Sequence, residues 1–205
     1  MDNTALFRLS YGVFMLATRS GEKINGCITN TCMQVANSPT RIAIACINTN
    51  YTCDLIKESG VFCLSLLDKS CSFDTLVRWG FQSGRKVDKF AGMELPEDEN
   101  GVPYLTWGTC AMISAKVVDS MDLGSHTLFI GEVLDAKVLS DREPMTYAYY
   151  QSDVKPKPKK PAEQPKTPKA WKCRICGYVY EGEMLPDDFV CPICGHPAED
   201  FEPVY

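Results

Sequence analysis

Long hydrophobic runs are missing from this chain of 205 residues. None approaches the ~20 apolar residues that a membrane helix needs. The apolar stretch 11–18 is short, Asp2 precedes it, Arg19 follows it, and no small-residue cleavage site comes after. Neither a membrane anchor nor an export signal is expected, and the chain reads as cytoplasmic. Excess positive charge is missing as well. A formal net charge of −5 argues against a general binder of nucleic acid or of membrane surfaces. There is no G-x-G-x-x-G, no G-x-x-x-x-G-K-[ST] and no G-x-S-x-G, which leaves out a Rossmann fingerprint, a P-loop and a nucleophile elbow. Histidine is scarce, and before the C-terminal segment His126 stands alone, so no histidine-based triad or metal set can be assembled there. Taken by itself, His126 reads as an ordinary hydrogen-bonded histidine.

Cysteine, in contrast, is abundant. Of eleven, four form two C-x-x-C pairs near the C-terminus and the other seven lie before residue 111. Free thiols suit a reducing compartment, and the seven read as small buried hydrophobes on strands. Cys173-Arg174-Ile175-Cys176-Gly177 and Cys191-Pro192-Ile193-Cys194-Gly195 are two copies of one device. Two residues between thiolates let a tight turn aim both sulfurs at one ion, and the following glycine lets backbone amides approach the sulfurs. Four thiolates make a tetrahedral shell that serves zinc or iron. Two disulfides are disfavoured by the compartment, and a thioredoxin-like redox pair by the lack of a surrounding βαβ unit. A segment of about 35 residues buries too little to hold itself together, so the metal must contribute folding energy and the metal-free segment should be unfolded.

Composition divides the chain into residues 1–152, a linker at 153–170 and a small domain at 171–205. Residues 155–170 read KPKPKKPAEQPKTPKA, with five prolines, six lysines and no large apolar side chain. Such a segment is an extended, partly polyproline spacer, able to span up to ~50 Å at ~3.1 Å per residue. Charge partitions in the same way: −4 over 1–152, +4 over 153–170 and −5 over 171–205. Before the linker the pattern is mainly β, with strands expected at 13–18, 24–35, 41–47, 61–67, 104–118 and 127–139. Short helices are expected at 52–59 and 72–81, with Asn50 and Ser70 as N-cap candidates. Few helices and long strands favour a closed or nearly closed antiparallel barrel.

The C-terminal segment resembles a rubredoxin. The residues that carry the likeness are Trp171-Lys172-Cys173 and Cys176-Gly177-Tyr178-x-Tyr180, then Asp188-Phe189-x-Cys191-Pro192-x-Cys194-Gly195. Tyr178, Tyr180 and Phe189 match that family's small core. Fourteen residues separate Cys176 from Cys191, about half the spacing of free-standing rubredoxins, and the short form resembles the module fused to rubrerythrin. The resemblance implies iron at Cys173, Cys176, Cys191 and Cys194, with structural zinc as the alternative.

Residues 1–150 resemble the flavin reductase-like FMN-binding split barrel. The blocks are 24–35 (INGCITNTCMQV), Ser38-Pro39, Asn48-x-x-Tyr51-Thr52-x-x-Leu55-Ile56, 84–90 (GRKVDKF), Gly124-Ser125-His126 and Gly131-Glu132-Val133, in the family's order. The resemblance implies that Asn30, Thr31 and Cys32 present backbone and side-chain groups to the isoalloxazine edge. It implies that Asn48 and Thr52 hold the ribityl chain and phosphate, that Arg85 and Lys89 neutralise phosphate charge, and that His126 stands beside the flavin or the incoming nicotinamide as the catalytic candidate. Ser125 stands where most family members have Asp.

Together the two resemblances imply an NAD(P)H-dependent flavin/rubredoxin oxidoreductase. It would be a homodimer that passes electrons from NAD(P)H through FMN to a four-cysteine iron and on to an acceptor such as a flavo-diiron protein. The rival readings are a flavin reductase that releases reduced FMN and carries a zinc ribbon, and a non-enzymatic flavin-binding or docking protein.

Overall fold

Between residues 14 and 67 short apolar runs alternate with turns, and all of them become strands except the one at 51–59, which becomes a helix. The computed structural model describes residues 2–156 and 168–205. The strands of the larger unit are β1 Phe14–Ser20, β2 Lys23–Thr29, β3 Cys32–Asn37, β4 Thr40–Ile47, β5 Val61–Leu67, β6 Thr109–Asp122 and β7 His126–Val138. They form one antiparallel sheet in the order β2-β1-β5-β6-β7-β4-β3. Cys27 from β2 shares a buried cluster with Ile42, Ile44 and Cys46 from β4, together with Leu16, Phe62, Leu64 and Phe129. Residues from both ends of the strand order thus meet around one core, and the sheet curls into the expected split barrel. No ladder joins β2 to β4, so side chains close the seam. On β7, Gly131 lets the Phe62 ring approach the backbone, since a Cβ there would lie 2.6 Å from Phe62 Cζ.

The stretch 24–35 is two strands, not one. The chain leaves one edge of the sheet at Thr29 and enters the other at Cys32. Thr31 replaces ladder bonds by donating its hydroxyl to Ala45 O at 2.8 Å. The expected strand at 104–118 begins only at Thr109, because Tyr104 N–H goes to Pro96 O and Leu105 N–H to the Ser65 hydroxyl. Ahead of it, residues 81–108 contain neither helix nor named strand. Buried Asp98 pins this segment by accepting Asn100 N–H, Val102 N–H and the Ser114 hydroxyl at 2.9, 2.8 and 2.6 Å.

Helix α1 (Tyr51–Ser59) is capped by Asn50, whose side chain accepts Thr52 N–H, and stops at Gly60, where φ is +69°. It buries Thr52, Cys53, Leu55 and Ile56 against the barrel. Helix α2 (Phe73–Gly80) is capped by Ser72 rather than Ser70, because Asp68 engages both the N–H and the hydroxyl of Ser70. A helical turn at Tyr147–Tyr149 continues into a wider turn at Tyr150–Val154, and Val154 packs on the barrel core. The larger compact unit accordingly runs over Met1–Pro156, and the expected spacer falls largely on 157–167, outside the described residues. No helix among the described residues is long and apolar enough to cross a membrane.

In the smaller unit, β8 Ala170–Cys173, β9 Val179–Glu181 and β10 Phe201–Val204 form a sheet in the order β10-β8-β9. Its core is Cys173, Cys191 and Phe201, with Trp171, Tyr178, Tyr180, Leu185 and Phe189 packed on them. The Phe189 ring meets Tyr180 at 4.7 Å and Phe201 edge-on at 5.4 Å between centroids.

Candidate functional sites: an open cleft and a four-cysteine cage

The break between β2 and β3 opens a cleft of about 300 Å³. One part of its wall is polar: Thr29, Asn30 and Thr31 from the break, Asn50 from the cap of α1, and His126 from the start of β7. The other part is apolar and aromatic: Val13, Ile28, Leu76, Phe81, Tyr147 and Tyr150. Asn50 is both lining residue and cap, so the N-terminal end of a nine-residue helix, with its partial positive charge, faces the cleft. The Arg85 guanidinium stands 5.1 Å from the Tyr51 ring at that helix end and pairs with Asp54.

The structure brings Asn30, Thr31 and His126 together at the cleft, while Cys32, Asn48, Thr52, Arg85 and Lys89 are not among its lining residues. Cys32 opens β3 opposite Ile44, and desolvation pushes its thiol up to about 12. Asn48 is committed elsewhere. Its amide donates to Asp122 Oδ1 at 3.2 Å and Gly124 O at 2.8 Å, while its carbonyl oxygen accepts the Thr127 hydroxyl at 2.6 Å. It therefore clamps the turn that carries His126. Thr52 is fully buried, and its hydroxyl accepts Asn25 Nδ2–H at 2.9 Å. Lys89 is 4% exposed, and its Nζ donates to Gly26 O and Trp79 O at 2.8 and 2.9 Å. Desolvation holds its pKa below the usual lysine value, partly offset by Cys27. A lysine whose donors are spent on two main-chain carbonyls joins α2 to β2 rather than offering its charge to the cleft. His126 Nδ1 lies 2.8 Å from the Ser125 hydroxyl, so the neighbouring serine orients the imidazole.

Sequence reasoning missed Phe81, Tyr147, Tyr150 and Cys27 as cleft residues. The run Tyr147-Ala148-Tyr149-Tyr150, just before the composition break, was the available signal for the aromatic wall.

A flat ring system with a polar edge and an anionic tail fits this cleft. The aromatic wall suits the ring, Asn30 and Thr31 its edge, and the α1 end the tail. Those are the features of a flavin nucleotide.

In the smaller unit the four sulfurs lie within 4.8 Å of one another. Cys173 and Cys194 Sγ are 3.7 Å apart, and Cys176 and Cys191 Sγ are 3.5 Å apart. A tetrahedral site with metal–sulfur bonds of ~2.3 Å needs sulfurs ~3.8 Å apart, so the cage fits one ion. The knuckles form as the sequence implies. Gly177 N–H bonds to Cys173 O and Gly195 N–H to Cys191 O, both at 2.9 Å, with φ of +78° and +71° at the glycines. Desolvation pushes Cys191 up, but the N–H groups of Cys194 and Ile193 and the thiols of Cys194 and Cys176 outweigh it and bring Cys191 down to about 6. Those amides favour the thiolate that a metal requires. Cys173 and Cys191 are buried while Cys176 is exposed, which leaves one side of the cage open to a partner.

Residues 6–157 match the flavin reductase-like domain, and residues 171–202 match the rubredoxin-like domain of rubrerythrin. The chain is 35% identical over its whole length, and the whole length of the relative, to the high molecular weight rubredoxin of Moorella thermoacetica. It is 39% identical to the ferric-chelate reductase (NAD(P)H) of Archaeoglobus fulgidus, over 73% of this chain and 89% of that one. A solved flavin reductase in its native state superposes with a TM-score of 0.60 at 25% identity, covering 71% of this chain and 93% of the other. With the cleft and the cage both in place, the chain belongs to the flavin reductase-like family and carries a rubredoxin-like metal domain at its C-terminal end.

Proposed function

We propose that this NAD(P)H-dependent oxidoreductase passes electrons from a reduced nicotinamide, through FMN in the cleft, to iron in the four-cysteine cage, and from there to an acceptor protein such as a flavo-diiron protein. The observation that carries this reading is the presence on one chain of two sites of matching chemistry: a cleft built for a flavin and a cage sized for one tetrahedral ion. Bound FMN would supply two-electron uptake from the nicotinamide and one-electron delivery, while iron accepts single electrons.

The chain's own residues do the placing. Asn30 and Thr31 meet the polar edge of the ring, and Phe81, Tyr147 and Tyr150 cover its apolar part and exclude water. The α1 end and Arg85 receive the phosphate. Asn48 and Thr52 act one step back: the first fixes the His126 turn, the second the cap of α1. Lys89 supports the floor of the cleft. His126, oriented by Ser125, faces the ring or the nicotinamide and can hold a proton there.

Exposed Met33 and Val35 on edge strand β3, with exposed Met121 and Leu123 at the β6–β7 turn, support pairing with a second copy. The surplus of acidic side chains in residues 171–205 supports steering to a basic acceptor, and the free thiols of the larger unit support a reducing, cytoplasmic setting.

Anaerobic spectra of the purified full chain, loaded with FMN and iron, test the reading. NADH or NADPH should bleach the flavin band first and the iron–thiolate bands after it. Flavin bleaching with the iron bands unchanged would favour a reductase that releases reduced FMN. No bleaching of either would favour a binding protein.

A further inference from the structure

A second cavity, of about 490 Å³, lies against helix α2. The C-terminal end of that helix separates it from the cleft. Gly80 and Phe81 line the cleft, while Trp79 and Gln82, the residues on either side of them, line the second cavity. Phe81 and Gln82 are chain neighbours, with Cα atoms about 3.8 Å apart, and both are exposed. A molecule that leaves the cleft over Phe81 therefore meets the second cavity at Gln82.

Two side chains of this cavity are fixed in place. Trp107 is 44% exposed, although residues 102–105 and 108–110 around it are buried. The backbone holds it there. Gly108, with φ of +60°, is so close to Cys71 that a Cβ would lie 2.8 Å from the Cys71 Cα. Asp68 N–H donates to Gly108 O at 2.9 Å, and the Thr109 hydroxyl donates to Trp107 O at 3.2 Å. An indole kept in solvent by a fixed backbone is a stacking platform. Arg78 is pinned by two main-chain carbonyls: Nε donates to Lys89 O at 2.7 Å and Nη2 to Ala91 O at 3.0 Å. Its Nη1 remains unspent, and it has no carboxylate partner among the described residues. Asp74 and Gln82 also line the cavity, and no hydrogen bond or ion pair among the described residues engages either side chain. Asp88, a further wall residue, accepts Phe90 N–H at 2.9 Å.

The cavity thus offers an aromatic plane, a free carboxylate, and free amide and guanidinium donors. A planar base with an exocyclic amine beside a ring nitrogen has the complementary edge. Its amine donates to the carboxylate, and its ring nitrogen accepts from the donors. Adenine has that edge; hypoxanthine, with a carbonyl in place of the amine, does not.

We propose that the cavity beside α2 is the adenine site for the reduced dinucleotide, which binds extended across the end of α2 with its nicotinamide in the cleft. This placement rests on the reading of the cleft as the seat of flavin and nicotinamide. Adenine stacks on Trp107, donates to Asp74 and accepts from Gln82 or Arg78. The diphosphate bridge crosses Phe81 and Gln82, and the turn that follows carries Lys86. Lys86 N–H closes that turn on Ser83 O at 3.0 Å, and Gly84 packs so tightly on Asn25 that no Cβ fits between them. The Lys86 side chain is exposed and has no carboxylate partner among the described residues, so it is available to the phosphates. Binding of the remote half then orients the nicotinamide over the flavin in a chain without a Rossmann fingerprint.

The test uses the full chain loaded with FMN and iron. Anaerobic flavin reduction is followed with the better of NADH and NADPH, with the hypoxanthine analogue of that dinucleotide, and with reduced nicotinamide mononucleotide, which lacks the adenylate half. In Trp107→Ala the ratio of KM for the dinucleotide to KM for the mononucleotide should rise about tenfold, the effect of losing one base stacked on an aromatic ring. Trp107→Phe, which keeps an aromatic face, should restore most of it. The hypoxanthine analogue should have a higher KM than the adenine dinucleotide, and Asp74→Ala should erase that difference. ADP-ribose, titrated against tryptophan fluorescence, reads the site without turnover: it should quench the unsubstituted chain and not Trp107→Ala. An unchanged KM ratio in Trp107→Ala, while the dinucleotide still reduces the flavin, would overturn the extended placement and leave the electron path standing. Failure of all three donors to reduce the flavin would sink the electron path itself, and the adenine site with it.

Discussion

His126 begins β7, and three side chains decide where its ring stands: Ser125 at Nδ1, and Asn48 and Asp122 through the turn that precedes it. His126→Ala should slow flavin reduction by NAD(P)H by about tenfold, the worth of one hydrogen bond. FMN affinity should change much less; stopped-flow rates alongside a flavin titration separate the two, and a wild-type rate would return His126 to a structural role. Asp122 gives this turn a pH dependence. Gly124 N–H and then the Asn48 amide hold its carboxylate below the ordinary value of 3.8. The unfolded chain therefore takes up the proton first as pH falls. The contribution to stability is full above 3.8 and is lost as pH falls through the lower folded value. Asp122→Asn should flatten that part of the acid unfolding curve, read by circular dichroism against pH.

Helix α1 does more than fill the barrel mouth, since its cap is also a wall of the cleft. Asn50→Ala removes the acceptor of Thr52 N–H and should cost about 1 kcal/mol of stability. It also removes one polar group from the cleft and disturbs the helix end, so FMN should bind more weakly. A thermal melt and a fluorescence titration check the two effects. Loss of stability with FMN affinity unchanged would show that the helix end does not meet the phosphate.

For the molecule as a whole, the two compact units differ in what holds them together. The larger has two interior clusters of buried side chains, whereas among the described residues of the smaller only Cys173, Cys191 and Phe201 are buried. Cys191→Ser, or removal of the metal by a chelator, should unfold residues 171–205 and leave the barrel and its FMN affinity intact. Loss of the near-ultraviolet signal of Trp171 with retained flavin binding is the expected pair of readings. Concurrent loss of FMN affinity would show that the units depend on each other. Cutting the chain near Gln164, in its lysine- and proline-rich stretch, should leave flavin reduction intact but make iron reduction second-order in the separated parts. Transfer from the acidic small domain to the acceptor should weaken as salt is raised. A concentration-independent rate of iron reduction after the cut would point to docking in place of tethering.

The sequence by itself determined the metal cage, because two C-x-x-C-G knuckles are local devices whose geometry depends on a few adjacent residues. It also determined the β-rich character of residues 1–152 and most of the strands, through short-range apolar patterning. Asn30, Thr31 and His126, which the family resemblance singled out, all line the cleft. The roles of Asn48, Thr52 and Lys89 were not legible. What each does depends on partners 74 to 76, 27 and 63 residues away, and no local pattern carries such separations. The break of 24–35 into two strands had the same origin, since only the curl of the sheet places Thr31 beside Ala45 and sends β2 and β3 to opposite edges. The seven barrel cysteines show the division most plainly. As a set they looked like small buried hydrophobes, and most are buried. Only the curl of the sheet brings Cys27 of β2 and Cys46 of β4 into one buried cluster beneath the cleft, because it is the barrel's curvature, not sequence spacing, that gathers their side chains.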